Sequence, residues 1–168
     1  MIQQRPGDVL EIEFEKRFYY LVVVTKNFMF GGNIVYAFHG TGEQIENFSW
    51  SPSKSGFNIC TDLLLPKKEG VVKRIGAVEN PKDYLISNYI KGCHEHRPGK
   101  TASEWWISTV EKPTEYVARV KNLSEEYSKA MDSGAHSFDL TANKILASYT
   151  SDKNPFIKSK SNVWNIFS

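Results

Sequence analysis

Pro6-Gly7-Asp8-Val9-Leu10-Glu11-Ile12-Glu13-Phe14-Glu15, then Lys16-Arg17, then Phe18-Tyr19-Tyr20-Leu21-Val22-Val23-Val24, is the stretch that decides the fold. Pro6-Gly7-Asp8 is a turn signal. Val9 and Leu10 lead into an alternation that puts Ile12 and Phe14 on one face of an extended chain and Glu11, Glu13 and Glu15 on the other. Lys16-Arg17 is a short charged break. Residues 18–25 then run without alternation, which predicts a second strand covered on both sides. Two strands joined so closely make the first hairpin of a small antiparallel sheet.

Working outward, Asn27 to Asn33 reads as a turn built on Gly31-Gly32, and Ile34 to His39 as a third strand closed by Gly40-Thr41-Gly42. Three strands in such close succession favour a meander. Asn47 to Gly56 is Ser-rich, contains Pro52 and Lys54, and has Phe48 and Trp50 as its large apolar residues; it reads as a loop that leaves or caps the sheet. Phe57 to Leu65 is a further extended segment ended by Pro66, and Val71 to Ile75 is a fifth strand between Gly70 and Gly76. Residues 79–102 are broken by Pro81, Gly92, Pro98 and Gly99 and specify no clear element. Glu104 to Val110 is a sixth strand; Thr114 to Val120 fits a strand or a helix start.

After this the period changes. Asn122 can cap a helix from Leu123 to Asp132 with Gly134 as its stop, and Asp139 a second helix from Leu140 to Tyr149. The tail from Asp152 is polar and Lys-rich, then ends in Val163-Trp164-Asn165-Ile166-Phe167, a segment expected to dock back onto the body. The expectation is therefore an α+β fold. It has a mainly antiparallel β meander or a small partly open barrel over the first two-thirds, and two short helices near the C-terminus. The expected organisation is a single domain over 1–168: β-rich over 7–120, helical over 122–150, with a docking tail over 151–168.

A chain of 168 residues has material for one sizeable core, and its apolar (40%) and charged (24%) shares are those of a folded soluble protein. An aromatic share of 13% favours strands and contact surfaces over helical bundles. A net charge of +2 is too small to imply nucleic-acid binding by itself. No apolar run reaches the roughly 18 residues a spanning helix needs, and Met1 to Gly7 holds no signal-peptide core. A cytoplasmic protein without a membrane partner is expected. Cys60 and Cys93 follow no metal spacing and are expected to be free, at least partly buried thiols.

Cys93-His94-Glu95-His96 is the only dense group of metal-ligand types. Adjacent residues on an extended chain point to opposite faces, so only alternate pairs could share an ion, and no second pair stands elsewhere. An exposed charged loop is the expectation there, with no metal and no cofactor. A Cys/His nucleophile pair could be drawn from Cys60 or Cys93 with His39, His94, His96 or His136, but no motif surrounds either cysteine. No catalytic residue is assigned. Gly31-Gly32 and Gly40 to Gly42 lack what a phosphate-cradling loop requires. Lys16-Arg17 beside Phe18-Tyr19, and Lys73-Arg74, could form a nucleic-acid face, yet acids lie close to both and no basic stripe forms.

The carboxylate row is more informative. Like charges along one strand face repel, so Glu11, Glu13 and Glu15 require water or opposing basic groups. Two readings stand: a solvated edge strand whose charge discourages aggregation, or an acidic patch that docks a basic partner such as a nuclease active site. Trp50, between serines and near Lys54, is either an exposed interface anchor or a cap folded onto the sheet.

Arg5-Pro6-Gly7-Asp8-Val9-Leu10-Glu11-Ile12, followed by a short basic break and Tyr19-Tyr20-Leu21-Val22-Val23-Val24, resembles the opening of the immunity protein 26 family. Val72-Lys73-Arg74-Ile75-Gly76 followed by Asn80-Pro81 is similar to a strand-and-Gly element placed after the meander in that family. The resemblance implies a cytoplasmic antidote that binds the C-terminal domain of a polymorphic or contact-dependent toxin, a nuclease among the candidates, and occludes its active site. Glu11, Glu13, Glu15, Trp50 and Lys54 are the expected toxin-binding residues. Two other classes compete: a small β-barrel module binding nucleic acid or a ligand, and a hydrolase using Cys93 or His94.

Overall fold

In the computed structural model, residues 4–27, 31–93 and 104–153 are described. Gly7 turns the chain into the sheet with φ +94, and its amide donates to the Val23 carbonyl at 2.7 Å. Strand β1 (Asp8–Phe14) then pairs antiparallel with β2 (Arg17–Asn27), with Phe14 opposite Arg17. Glu15 and Lys16 are left as a two-residue loop, with φ 51 and 62. Positive φ at both positions gives the turn whose twist matches the flanking strands. Glu15 therefore does not continue the carboxylate row. It sits in the hairpin loop, because the buried pairs Ile12↔Tyr19 and Leu10↔Leu21 set the register one residue earlier than the charged break suggested.

β3 (Gly32–Phe38) pairs with β2, β4 (Gly56–Thr61) pairs with β3, and β5 (Val71–Ala77) returns to pair with β1. The sheet order is β4-β3-β2-β1-β5, antiparallel throughout and not closed, which is the expected meander with β5 added at its β1 edge. The fold is α+β. At its β5 edge the register shifts between Val9 and Leu10, which leaves Ile75 as a bulged residue just after the exposed Lys73 and Arg74. A bulge and charge on an edge strand discourage pairing with another chain.

The extended segment expected to reach Pro66 ends at Thr61. Helix α1 (Leu64–Glu69) takes its place, with Pro66 in the first turn, where an absent N–H costs nothing. Asp62 Oδ1 accepts from the Leu64 amide at 2.7 Å and starts the turn.

Leu10, Ile12 and Phe14 of β1, Leu21 and Val23 of β2, and Phe57 and Ile59 of β4 form one buried face of this sheet. Helix α3 (Phe138–Leu146) covers that face with Phe138, Ala142 and Ile145, spaced at helical intervals. Its N-cap is Ser137 rather than Asp139, which lies in the first turn. There the hydrogen bond to Ser137 holds the Asp139 carboxyl below the ordinary carboxylate range. The opposite face carries Tyr20, Val22, Tyr36, Phe38 and Asn58, all buried. Phe48 and Tyr84 lie against it, so β2 is covered on both sides as its lack of alternation predicts. The Asn58 amide donates to the Val35 and Tyr84 carbonyls and accepts from the Ile86 amide at 2.7 Å, tying the 3-10 turn Pro81–Tyr84 to the sheet.

The chain divides into two compact units, Met1–Ile86 with Gly134–Tyr149, and Ser87–Ser133 with Thr150–Ser168. The second holds a four-stranded sheet of order β8-β7-β6-β9, from β6 (Tyr89–Cys93), β7 (Trp105–Thr109), β8 (Tyr116–Val120) and β9 (Met131–Asp132). The helix expected from Leu123 to Asp132 shrinks to α2 (Glu125–Ser128). It is capped by Ser124, whose side chain accepts from the Tyr127 amide, rather than by Asn122. Met131 and Asp132 are drawn into parallel pairing with Ile90 and Lys91 of β6, a strand in the stretch that sequence left unassigned. The expected docking of the C-terminal apolar tail falls outside the described residues. Among the described residues no helix is long and apolar enough to cross a membrane.

Candidate functional site

The alternation of β1 sends Glu11 and Glu13 to the face away from α3. Glu11 lies opposite Tyr20 on β2 and Lys73 on β5, while Glu13 lies one row along, opposite Phe18 and Val71. The Tyr20 hydroxyl donates to Glu11 Oε2 at 3.2 Å and accepts from the Ile45 amide at 2.8 Å. One phenol thus joins strand to loop.

Two more tyrosines do the same for the rest of the loop. The Tyr84 hydroxyl donates to the Trp50 carbonyl at 2.9 Å, and the Tyr36 hydroxyl donates to the Lys54 carbonyl. Phe48 stacks on Tyr20 with ring centres 4.0 Å apart, and Lys54 Nζ lies 4.4 Å from the centre of the Phe48 ring on an exposed side chain. The segment from Ile45 to Lys54 is therefore a cap pinned by its backbone, which resolves the choice between a loop that leaves the sheet and one that covers it. Trp50 is half-buried, its indole lying over Gly76 of β5; a Cβ at that glycine would stand 2.6 Å from the ring. Only glycine leaves room for so close an approach.

Between this loop and the sheet runs a groove of about 690 Å³. Ile45, Glu46, Phe48 and Trp50 line it from the loop, and Glu11, Lys73 and Arg74 from the strands. The structure thus brings together Glu11 and Trp50, two of the five residues expected to bind a partner. Glu13 stays on the same sheet face, Lys54 caps Phe48, and Glu15 is in the hairpin loop. Of the basic pair Lys73-Arg74 at the same groove, Arg74 is taken up by an ion pair, while Lys73 lies across the strand pair from Glu11. Arg74 Nε is 2.6 Å from Asp8 Oδ1, a carboxylate whose side chain is only 7% exposed. Glu46 and Glu13 form no ion pair or hydrogen bond among the described residues.

Burial pushes the phenols of Tyr20, Tyr36 and Tyr84 above their ordinary value of 10.0. An acid whose folded value is raised keeps its proton longer folded than unfolded, so the stabilisation is complete below pH 10 and disappears as pH climbs through the folded values. Alkali should therefore loosen the loop. Phenolate absorbance is expected to appear late for these three rings, with stability to urea falling above about pH 10. Ordinary titration of all the tyrosines with undiminished stability at about pH 11 would contradict the latch.

The reactive-group candidates are otherwise engaged. Cys60 is free and buried, and burial pushes its thiol up to about 11, far from thiolate chemistry at neutral pH. Cys93 is a buried thiol outside any disulfide. His39 Nε2 donates to the Tyr149 carbonyl at 2.8 Å while Nδ1 lies 2.7 Å from Ser55 Oγ, so the ring ties the end of α3 to the strand ends. His94, Glu95 and His96 lie outside the described residues.

Tyr20, Tyr84 and Gly76 build the site and were not singled out from sequence. Tyr20 could have been found from hairpin register, since it shares a face with Glu11; Gly76 is legible as the end of a strand, but nothing local shows that a ring packs on it. A further aromatic surface lies on the four-stranded sheet, where Trp106 and the exposed Tyr116 have ring centres 5.2 Å apart and Arg119 sits 5.7 Å from the Tyr116 ring centre.

Comparison with family models, curated proteins and solved structures finds no match for this chain.

Proposed function

We propose that this chain is an immunity protein, which binds the toxic C-terminal domain of a secreted or contact-dependent toxin in the cytoplasm and neutralises it by covering its active site. The observation that carries the reading is the pinned loop, which holds Phe48 and Trp50 beside Glu11 at one groove. A recognition surface ordered before binding loses little conformational freedom on complex formation, and a half-buried tryptophan ringed by polar groups is the usual composition of an interface hot spot. The N-terminal strands that resemble the immunity protein 26 family are the ones that build this groove. The competing nucleic-acid module gains little from Lys73-Arg74, because Arg74 is held by Asp8 and the remaining lysine is outnumbered by Glu11, Glu13 and Glu46 on the same face.

The test is to read the genes beside this chain's own and to co-express the chain with the variable toxin C-terminal domain expected among them. Growth is expected to be restored and the two proteins to co-elute as a stable complex. Growth arrest despite expression of both, or turnover of a substrate by the purified chain alone, would overturn the reading.

A further inference from the structure

We infer that the groove over β1 and β5 receives an arginine side chain of the partner protein, seated against the Trp50 indole with Glu46 as its carboxylate. The inference rests on the immunity reading only in naming the partner as the toxin domain. Arg74 is held by Asp8 at 2.6 Å, which leaves Lys73 as the other cation of the groove, in register with Glu11 but in no ion pair with it, against the carboxylates of Glu11 and Glu46. Glu46 forms no ion pair or hydrogen bond among the described residues, and neither does Glu13 one row along the same face, so the carboxylates outnumber the one cation left over. The uncompensated charge of this surface is negative, and an incoming cation is what complements it.

Arginine fits better than lysine or a free cation. The groove is walled by aromatic rings as well as carboxylates, and a planar guanidinium can stack on an indole while donating to a carboxylate with two N–H groups. Ile45 and Val71, 45% and 58% exposed, lie beside this acidic face. Such apolar flanks suit a macromolecular surface that carries the arginine rather than a solvated small ion.

The probes are an acetylated Arg-Gly repeat peptide, its Glu-Gly counterpart and a short oligothymidylate, each titrated into the full chain at low salt. The readout is the Trp50 indole N–H resonance, assigned by its loss in Trp50→Phe. The arginine peptide is expected to shift that resonance, and Glu46→Lys to weaken binding by about tenfold, whereas Glu79→Lys, outside the groove, leaves it unchanged. Glu46 is exposed, so the variant keeps its fold. An unmoved Trp50 signal, equal weakening by Glu79→Lys, or a shift driven by the oligothymidylate or the Glu-Gly peptide overturns the inference. The toxin domain separates it from the immunity reading. If that domain binds wild type and Glu46→Lys alike, the arginine assignment fails and the antidote role stands. If the domain is not bound at all, the antidote role fails, and the peptide titration still decides the groove.

Discussion

Phe138→Ala is expected to destabilise the five-stranded unit by about 3–5 kcal/mol, the range for truncating a large aromatic in a well-packed core. Phe138 is fully buried, and its ring meets Phe14 at 5.4 Å and Tyr19 at 5.7 Å, both edge-to-face. Those two residues flank the tight hairpin loop, so one side chain from α3 buttresses the closed end of the β1–β2 pair. Removing it forfeits apolar burial and two favourable ring contacts, and it leaves a cavity that a sheet on one side and a helix on the other cannot both close around. The measurement is urea unfolding, read as a shift in midpoint at constant slope. Leu140→Ala on the same helix is the control: Leu140 is 41% exposed and should cost no more than about 0.5 kcal/mol. A loss below about 1 kcal/mol for Phe138→Ala would mean that α3 does not carry this core. Affinity for a partner should fall with the fold, since β1 presents Phe14 to α3 and Glu11 to the groove.

Lys91→Met is expected to have an effect of the same order, about 3–5 kcal/mol, confined to the second unit. The Lys91 side chain is wholly buried on β6. Its Nζ donates to the Ser128 carbonyl at 2.6 Å and to the Ser151 carbonyl at 3.0 Å, and it stands 3.8 Å from Asp132 Oδ1. One ammonium group thus gathers the end of α2, β9 and the turn at Ser151. Methionine replaces the stem but not the charge, leaving Asp132, 19% exposed, facing a neutral thioether and depriving both carbonyls of this donor. Asp132→Asn should cost less, because the ammonium keeps its two carbonyls. Hydrogen exchange resolves the two units: amides of β6 and β9 are expected to lose protection in Lys91→Met while those of β1 to β4 keep theirs. Uniform loss across both sheets, or none in β6, would contradict the role assigned to Lys91.

The two sites differ in how far they could be read from the chain alone. Phe138 lies beside a recognisable capping signal, and its partner rows on β1 and β2 show the alternation and the continuous apolar run of a half-covered and a fully covered strand. Lys91 had no such signal. It falls in a stretch interrupted by Pro81 and Gly92, and its burial depends on parallel pairing with Met131 and Asp132, forty residues away, at positions whose local sequence reads as helix. Local preference lost there to a non-local ladder. The helix expected from Leu123 to Asp132 contracted to one turn for the same reason.

The candidate site divides along the same line. Period-two alternation, a tight turn and one apolar run sufficed to place Glu11 and Glu13 on the face away from the core and to make β2 a central strand, because backbone geometry alone dictates which side chains share a face. Whether Glu15 joined them was decided by the register of buried pairs across the hairpin. Whether Trp50 stood free or folded back was decided by three phenols and one glycine drawn from β2, β3, the 3-10 turn and β5. Positions 11, 46, 50 and 73 meet only because β5 returns to the far edge of the sheet beside β1 and the loop lies across the face between them. That return is a long-range hydrogen-bonding and packing choice, and no window of local sequence contains it.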